Sequence, residues 1–213
     1  EISACLVGSE MCIRDRHMAN KIITISREFG SGGRFIGEEV AKKLGMKYYD
    51  KDIISQIAEK LGFSKEYISQ NAELSPKKGL FAYALTGRDT TGKSVEDMVY
   101  EAQRKVILEI AENDSCVIIG RNADYILKDR TDVINIFIHA DMPEKVKRIC
   151  RLYNVTETEA VAMTADIDKR RMTNYRYYTD QKWGMARNYT LTLNSSQLGY
   201  DMCEKIIMEC AQQ

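Results

Sequence analysis

The stretch that most constrains the fold is residues 22–45, where an apolar segment leads through a cluster of glycines into an amphipathic segment. The β-branched run 22–25 is typical of a strand that is buried on both faces of a parallel sheet. After the glycines at 30–33, apolar residues recur at helical spacing, and Gly45 stands where a helix C-cap belongs. The sequence therefore predicts a strand, a glycine-rich turn and a helix in immediate succession.

The predicted turn has the features of an anion site. The first amides of a helix have no partner within the helix, and the helix dipole adds partial positive charge there. Glycines also let the backbone wrap around a phosphate, and the turn consists of Gly30, Ser31, Gly32 and Gly33. Arg34 falls in the first helical turn, where a cation is unfavourable unless an anion lies beside it. We expect a phosphate here; a glycine-rich turn without a ligand is the alternative.

The same turn resembles the phosphate-binding motif G-x-x-x-x-G-K-[ST]. With Gly32 as the second glycine, Arg27 replaces the first glycine, Gly33 the lysine and Arg34 the Ser/Thr. Three of the four signature positions therefore differ from the motif. The motif alone is a weak indication of phosphate binding, so other parts of the chain have to support it.

Length and composition limit the class of protein. The 213 residues suit one domain, or one domain with a lid-like insertion. The formal net charge is zero, and no apolar run approaches bilayer length, so we expect neither a nucleic-acid nor a membrane partner. Six cysteines without a close metal-ligand pair, and only two histidines, argue against disulfide, zinc and Ser-His-Asp sites. A reduced, cytoplasmic protein is expected, and its oligomeric state stays open.

Residues 1–17 fit nothing that follows them. They look like a translated vector or adapter sequence that ends at a cloning junction, with a genuine N-terminal extension as the alternative. They lack the basic start and apolar core of a secretory signal. We predict that this leader is disordered or peripheral and that residues 18–213 form a single domain.

Strand-like and helix-like segments alternate along the rest of the chain. Further strands are predicted at 46–49, 115–119, 133–138 and 189–193, with helices between them. Such alternation is typical of a parallel sheet that is covered by helices on both faces. Between the second and third strands, a helix is predicted at 63–73, and Ser94 resembles the start of a capping box. Residues 77–93 are either a mobile substrate-binding loop or a plain connection.

Polar residues follow two of these strands, at the edge where parallel sheets bind ligands. Asp50 and Asp52 follow the second strand; we assign Asp52 to the N-cap of the next helix and Asp50 to function. Arg121 follows the third strand as either a phosphate ligand or a surface ion-pair partner. We favour the phosphate ligand, because the glycine turn is predicted at the same edge.

A long helix is predicted to begin at Thr156, which opens a second capping-box pattern. One face of this helix carries charged and aromatic residues at three- and four-residue steps. They are Asp168, Arg171, Tyr175 and Tyr178. With so few aliphatic residues we do not expect a core face. It is either a solvated face or the inner face of a basic lid that closes over phosphates.

Four blocks together resemble the cytidylate kinase-like branch of the nucleoside monophosphate kinases, over most of residues 21–213. The blocks are 23–34 at the phosphate-binding loop, 48–50 after the second strand, 117–121 after the third strand, and 168–178 with 183–184 and 191–195 for the lid and last strand. Asn122 stands where this family has an acid. The four blocks are specific as a set, although the glycine loop by itself is not.

The resemblance implies an α/β P-loop kinase fold, with a five-stranded parallel sheet, helices on both faces and a helical lid. The acceptor-binding insertion would span about 51–113 and the lid about 156–188. The implied activity is phosphoryl transfer from ATP, with Mg²⁺, to a nucleoside monophosphate such as CMP or to another small acceptor. The alternative is a non-catalytic nucleotide-binding sensor or regulator with a degenerate loop.

The resemblance also implies roles for individual residues. The ATP phosphates would lie against Gly30, Ser31, Gly32, Gly33 and Arg34. Arg34, with Arg27 as a second source, would supply the charge of the missing lysine, and Arg121 and Arg171 would join it in catalysis. The acceptor nucleotide would be bound by Asp50, Arg121, Asp168, Arg171, Tyr175 and Tyr178. The magnesium ligands stay open, with Ser31 and Asp50 as candidates.

Overall fold

The computed structural model describes residues 21–62 and 95–212. Four predictions fall outside these ranges: the leader at 1–17, the helix at 63–73, the loop at 77–93 and the capping box at Ser94. The described residues contain all the strands predicted from the sequence.

Five strands form one parallel sheet in the order β2-β3-β1-β4-β5. They are β1 (Ile22–Arg27), β2 (Lys47–Tyr49), β3 (Cys116–Ile119), β4 (Val133–His139) and β5 (Leu191–Asn194). All six residues of β1 are buried, because β1 lies between β3 and β4 and is covered on both faces. The predicted α/β class and parallel sheet are confirmed.

The helices lie on both sides of this sheet. They are α1 (Gly33–Leu44), α2 (Lys51–Leu61), α3 (Val95–Asn113), α4 (Ala123–Ile126), α5 (Met142–Tyr153), α6 (Glu157–Thr179), α7 (Ser195–Leu198) and α8 (Tyr200–Ala211), with a 3₁₀ turn at Ala186–Asn188. The short helices α4 and α7 were not expected from the sequence. Within the described ranges, every helix is too short or too polar to cross a membrane.

The two largest apolar clusters lie one on each face of the sheet. Ile22 of β1 faces the cluster that includes α2 and α3, whereas Ile23 and Ile25 face the cluster that includes α1 and α8. Alternate residues of a strand point to opposite faces, so Ile22, Ile23 and Ile25 contribute to both clusters. The same run brings the carboxyl ends of β1 and β3 side by side, with Ile25 paired to Ile119.

The helix ends follow the sequence signals in two cases and depart from them in a third. Gly45 caps α1 with a left-handed backbone, and Thr156 opens α6 with a complete capping box. The expected N-cap at Asp52 is wrong, because α2 already begins at Lys51 and Asp50 holds the N-cap position. The Asp50 side chain makes no capping hydrogen bond, since it pairs with another side chain.

Candidate functional site

The glycine turn lies at the carboxyl end of β1 and is built for close backbone approach. Gly30 and Gly32 have φ values of 80° and 83°, which residues with side chains rarely adopt. A Cβ on Gly32 would lie 2.7 Å from the ring of Tyr200, and a Cβ on Gly30 would lie 2.9 Å from Cδ1 of Ile149. The first turn of α1 contains no acidic residue, so the amino end of this helix keeps its positive potential.

A cleft of about 450 Å³ opens beside this turn. The backbone of Gly30, Gly32 and Gly33 lines one side of it. The remaining walls come from β1, α1, α5 and α6 and contain four arginines, two glutamates and several apolar side chains: Arg27, Glu28, Phe29, Arg34, Phe35, Glu38, Arg148, Ile149, Leu152, Tyr153 and Arg171. Backbone amides, a helix amino end and guanidinium groups suit a polyanion.

Arg34 contacts a different anion from the one that the sequence predicted. Its Nε lies 2.7 Å from Oδ2 of Asp50, and the two side chains are 55% and 3% exposed. Asp50 therefore relieves the unfavourable position of a cation in the first turn of α1. The other oxygen of this carboxylate, Oδ1, is buried and has no hydrogen-bond partner within the described ranges. A ligand group that donates a hydrogen bond to Oδ1 would satisfy this oxygen.

Ser31 holds the turn together from inside. Its hydroxyl donates to the carbonyl of Glu28 at 2.9 Å, and its own carbonyl accepts from Oγ of Ser195 at 2.7 Å. Neither Ser31 nor Asp50, the two magnesium candidates, lines the cleft. The carboxylates that do line it are Glu28 and Glu38. In residues 21–62 and 95–212, no three His, Cys, Asp or Glu side chains form a cluster that could hold a metal ion by themselves.

A second turn follows β3 at the same edge of the sheet. Gly120, Arg121 and Asn122 have φ values of 64°, 62° and 54°, so two residues with side chains adopt the left-handed conformation. The turn is tied to β1 by the amide of Gly120, which donates to the carbonyl of Ile25 at 2.9 Å. The Arg121 carbonyl accepts from Nε2 of Gln103 at 2.8 Å. These bonds hold the Arg121 side chain at the sheet edge.

Three arginines from separate elements meet between the two turns. Arg27 ends β1, Arg121 follows β3 and Arg171 lies on α6; all three line a small cavity of about 10 Å³. This volume holds about one water molecule. Arg27 and Arg171 also line the larger cleft. Three arginine residues therefore line one small space between the cleft and the Arg121 turn.

A buried charge network anchors α6 to the glycine turn. Asp168 accepts a 2.7 Å hydrogen bond from the backbone amide of Phe29, and Lys145 contacts both Asp168 and Glu28, at 3.2 and 3.0 Å. Arg171 Nη1 donates to the carbonyl of Arg27 at 3.2 Å. Burial raises the pKa of Asp168, whereas the Phe29 amide, Lys145 and Arg171 act in the opposite direction. Sequence reasoning missed Lys145, since nothing local distinguishes it from Lys147, the exposed lysine of the same helix.

Tyr175 and Tyr178 of α6 pack inward, so the prediction that this helix face is not a core face is wrong. Tyr175 is only 1% exposed, and its hydroxyl donates to Oδ2 of Asp124 at 2.7 Å. Tyr178 stacks on Tyr100 of α3, with ring centroids 3.8 Å apart. Burial raises the pKa of Asp124 to about 6, against hydrogen bonds from Tyr175 and Ser26 that lower it. These tyrosines position α6 over the sheet edge.

The expected site residues therefore separate into two groups. The cleft and the small cavity are lined by Gly30, Gly32, Gly33, Arg34, Arg121 and Arg171, while Asp168 fixes α6 beside them. The remaining candidates make other contacts: Ser31, Asp50, Tyr175 and Tyr178. Arg27 was expected only as a second source of charge, and Asp124 was given no role. Arg27 ends β1, and Asp124 lies in α4, the short helix that follows β3.

Known proteins share sequence similarity with most of this chain. The sequence profile of the cytidylate kinase-like family matches residues 22–197. A curated relative, the cytidylate kinase of Archaeoglobus fulgidus, is 25% identical over 195 residues, which cover 89% of this chain and 94% of the relative.

Solved structures give the same fold. An uncharacterized protein from Eubacterium ventriosum superposes with a TM-score of 0.70 at 25% identity, over 91% of this chain and 99% of that one. The shikimate kinase of Bacteroides thetaiotaomicron has a TM-score of 0.52 at 15% identity, over 91% and 99% of the two chains. The shikimate kinase of Acinetobacter baumannii, solved with shikimate, has a TM-score of 0.51 at 17% identity, over 90% and 93%. These kinases share the fold of this chain.

Proposed function

Since the chain belongs to the cytidylate kinase-like family, we propose that it transfers the γ-phosphoryl group of ATP to a nucleoside monophosphate of the CMP type or to another small acceptor. The observation that carries this proposal is the meeting of a glycine turn and three arginines at one sheet edge. Family and fold support a nucleotide-kinase function; the acceptor and the catalytic competence are part of the proposal.

The glycine turn would hold the donor. The backbone of Gly30, Gly32 and Gly33 lines the cleft, and the close contacts at Gly30 and Gly32 exclude side chains there. A triphosphate that lies against this backbone would receive amide hydrogen bonds and the potential of the α1 amino end. The apolar wall that includes Leu152 and Tyr153 would contact the base. The donor-binding role predicted for the turn fits this geometry.

Magnesium fits the cleft with few protein ligands. Mg²⁺ usually keeps several waters and binds substrate phosphates together with one or two carboxylates. Glu28, whose Oε2 also accepts from Lys145, and Glu38 are the cleft carboxylates that would take this part. The ion supplies charge neutralisation on the phosphate oxygens of the donor. Ser31 would serve by holding the turn in shape.

The second turn and α6 would hold the acceptor and the transferred group. Arg121 would contact the acceptor phosphate, and Arg171, with its guanidinium beside the Arg27 carbonyl, would contact the group in transfer. An oxygen of the acceptor phosphate attacks the γ-phosphorus. The bond from that phosphorus to the β–γ bridging oxygen breaks, and its electron pair leaves with ADP. Fixed guanidinium groups would stabilise the charge that is spread over the transferred oxygens.

Asp50 and α6 would complete the site. Arg34 would hold the Asp50 carboxylate, whose free oxygen Oδ1 would accept a hydrogen bond from the acceptor. We further propose that residues 156–188 act as a lid and 51–113 as the acceptor-binding insertion. Asp168 would connect the lid to the glycine turn by accepting a hydrogen bond from the Phe29 amide. Closure of the lid would exclude water from the transferred phosphoryl group. Tyr175 and Tyr178 would support the lid through Asp124 and Tyr100.

The test is a turnover assay with purified protein, Mg²⁺-ATP and a panel of nucleoside monophosphates, shikimate and other small phosphate acceptors. Chromatography or ³¹P NMR identifies the product, which separates transfer from ATP hydrolysis. We expect the corresponding diphosphate with at least one monophosphate and loss of most turnover in Arg121→Ala. ATP binding without any phosphorylated product from the panel would contradict the kinase proposal.

A nucleotide sensor without transfer activity is the second candidate. Gly33 in place of the motif lysine favours it, together with the engagement of Arg34 by Asp50. Such a protein would bind ATP tightly but give no product, and Arg121→Ala would leave ATP affinity unchanged. Any turnover that is lost in Arg34→Ala or Arg121→Ala, in variants that still fold, would count against the sensor.

A further inference from the structure

The position of the motif lysine is closed to any side chain. A Cβ on Gly33 would lie 2.6 Å from Cβ and 3.1 Å from Cγ of Arg27. Gly33 does not have a positive φ, so its backbone conformation is open to other residues. Glycine is required at position 33 because Cβ and Cγ of Arg27 fill the space that a side chain would need.

Arg27 occupies the position of the first motif glycine, where the motif has no side chain. The two departures from the motif are therefore complementary: the side chain missing at position 33 is present at position 27. The Cβ of Arg27 and a Cβ at position 33 would lie only 2.6 Å apart and would compete for the same space. A side chain at 27 therefore starts close to the point from which a side chain at 33 would start.

Arg27 is also placed where the lysine charge is needed. It is 5% exposed and lines both the donor cleft and the small cavity that it shares with Arg121 and Arg171. A group that passes from the cleft toward Arg121 would pass Arg27. Arg34, the other candidate for this role, is engaged by Asp50 and is 55% exposed.

We propose that Arg27 and Gly33 form an exchanged pair, in which the Arg27 guanidinium contacts the β- and γ-phosphates of the donor in place of the motif lysine. This inference rests on the proposed kinase function and deepens it. A guanidinium offers a planar fork of donors where lysine offers a point charge, so the Arg27 position suits two phosphate oxygens at once. Arg34 is then free to organise Asp50 on the acceptor side.

The first arm of the test compares Arg27→Met and Arg27→Lys with the unaltered protein. Isothermal titration gives the ATP dissociation constant, and the turnover assay gives kcat with the best acceptor. We expect Arg27→Met to weaken ATP binding about 10-fold and to lower kcat about 100-fold. Arg27→Lys should keep part of the ATP affinity and part of kcat. Arg130→Met is the matched control, since Arg130 pairs with Asp132 before β4 and lines neither cavity.

The second arm tests the exchange itself. Gly33→Lys alone should lower the melting temperature and abolish ATP binding, because its Cβ meets Arg27. The double variant Arg27→Gly with Gly33→Lys removes that clash, restores the first glycine and the lysine of the motif, and should recover ATP binding and part of kcat. Melting temperatures show which variants fold, and a double variant no better than Gly33→Lys would overturn the inference.

The outcomes separate this inference from the kinase proposal. If the unaltered protein turns over and Arg27→Met stays within twofold of it in both constants, the inference fails and the kinase proposal stands. If the protein binds ATP without turnover, the kinase proposal fails, and the ATP affinity of Arg27→Met still decides the inference. An unaltered protein that binds no ATP overturns both.

Discussion

Two turns follow adjacent strands at the same edge of the sheet, and they present different chemical groups to a ligand. The turn after β1 presents backbone, because Gly30 and Gly32 leave no room for side chains. The turn after β3 presents a side chain, because Arg121 takes a left-handed conformation that glycine would adopt more easily. The backbone of the first turn suits a ligand that binds through many amide contacts. The strained backbone of Arg121 suits a single, specific charge contact.

The length of the following helix separates the two turns further. The first turn opens the twelve-residue α1, whose dipole points at the cleft. The second opens α4, which has four residues and contributes little dipole. Buried Asp124 lies in this short helix and ties it to Tyr175 of α6. The first turn therefore acts through the backbone, and the second through side chains that α6 holds in place.

The largest expected effect comes from Arg121→Gly. Glycine relieves the backbone strain at φ 62°, so the folded protein should be at least as stable, while the guanidinium is lost. We expect kcat to fall about 100- to 1,000-fold with ATP affinity within about threefold. Stopped assays and ATP titration measure the two constants. If activity is retained, the turn carries no essential charge and the contrast between the two turns fails.

Asp124→Asn tests the support of the second turn through its pH dependence. Burial raises the folded-state pKa of Asp124 to about 6, above the usual value of an aspartate, so the folded protein holds the proton more tightly than the unfolded chain. The stability contributed by this group is complete below about pH 4 and is lost as the pH rises to about 6.

The measurement is the free energy of unfolding of both proteins by urea between pH 4 and 7. The stability of the unaltered protein relative to Asp124→Asn should fall across this range by up to about 3 kcal/mol. Asparagine keeps an oxygen that accepts from Tyr175, so the difference reports the charge. A relative stability that rises with pH would show that the carboxylate is ionised at little cost.

Gly32→Ala tests the backbone role of the first turn. Its Cβ would meet the Tyr200 ring at 2.7 Å and its φ is 83°, so the turn has to shift. Strain of about 1 to 3 kcal/mol should weaken ATP binding about 10- to 100-fold. Gly45→Ala is the control, since Gly45 also has a positive φ but nothing within 4 Å of its Cβ. Equal loss of ATP affinity in both variants would mean that strain alone, away from the turn, causes the effect.

Arg34→Met should give the smallest change. Its guanidinium is largely exposed, so the direct interaction with Asp50 is weakened by solvent. We expect the KM for the acceptor to rise about 3- to 10-fold, with a smaller change in ATP affinity, because Asp50 loses its orientation. Steady-state kinetics with each substrate varied in turn separates the two. If the affinity for ATP changes more than the KM for the acceptor, Arg34 contacts the ATP phosphates and not the acceptor.

The fold follows from local signals in this sequence. The isoleucine run of β1, the C-cap at Gly45 and the capping box at Thr156 each specify their element without help from distant residues. The positions of the candidate site follow too, because carboxyl ends of parallel strands share one edge. The glycine turn and Arg121 were found in this way.

The contacts of the site could not be foreseen, because they join residues far apart in the chain. Arg34 pairs with Asp50, and Tyr178 stacks on Tyr100. Lys145 is buried only because α6 brings Asp168 over it. Each of these pairs depends on how two elements pack, which composition and periodicity do not encode. The closure of position 33 by Arg27 is of the same kind.

The most direct measurement is a crystal structure with a bisubstrate analogue in which adenosine and cytidine are joined through five phosphates. The account predicts that the donor phosphates lie against the amides of Gly30–Gly33 and the cytidine end of the chain reaches Arg121, with Arg27 and Arg171 beside the phosphate between them. An analogue whose phosphates lie away from the glycine turn, or whose polyphosphate chain does not reach the Arg121 turn, would contradict it.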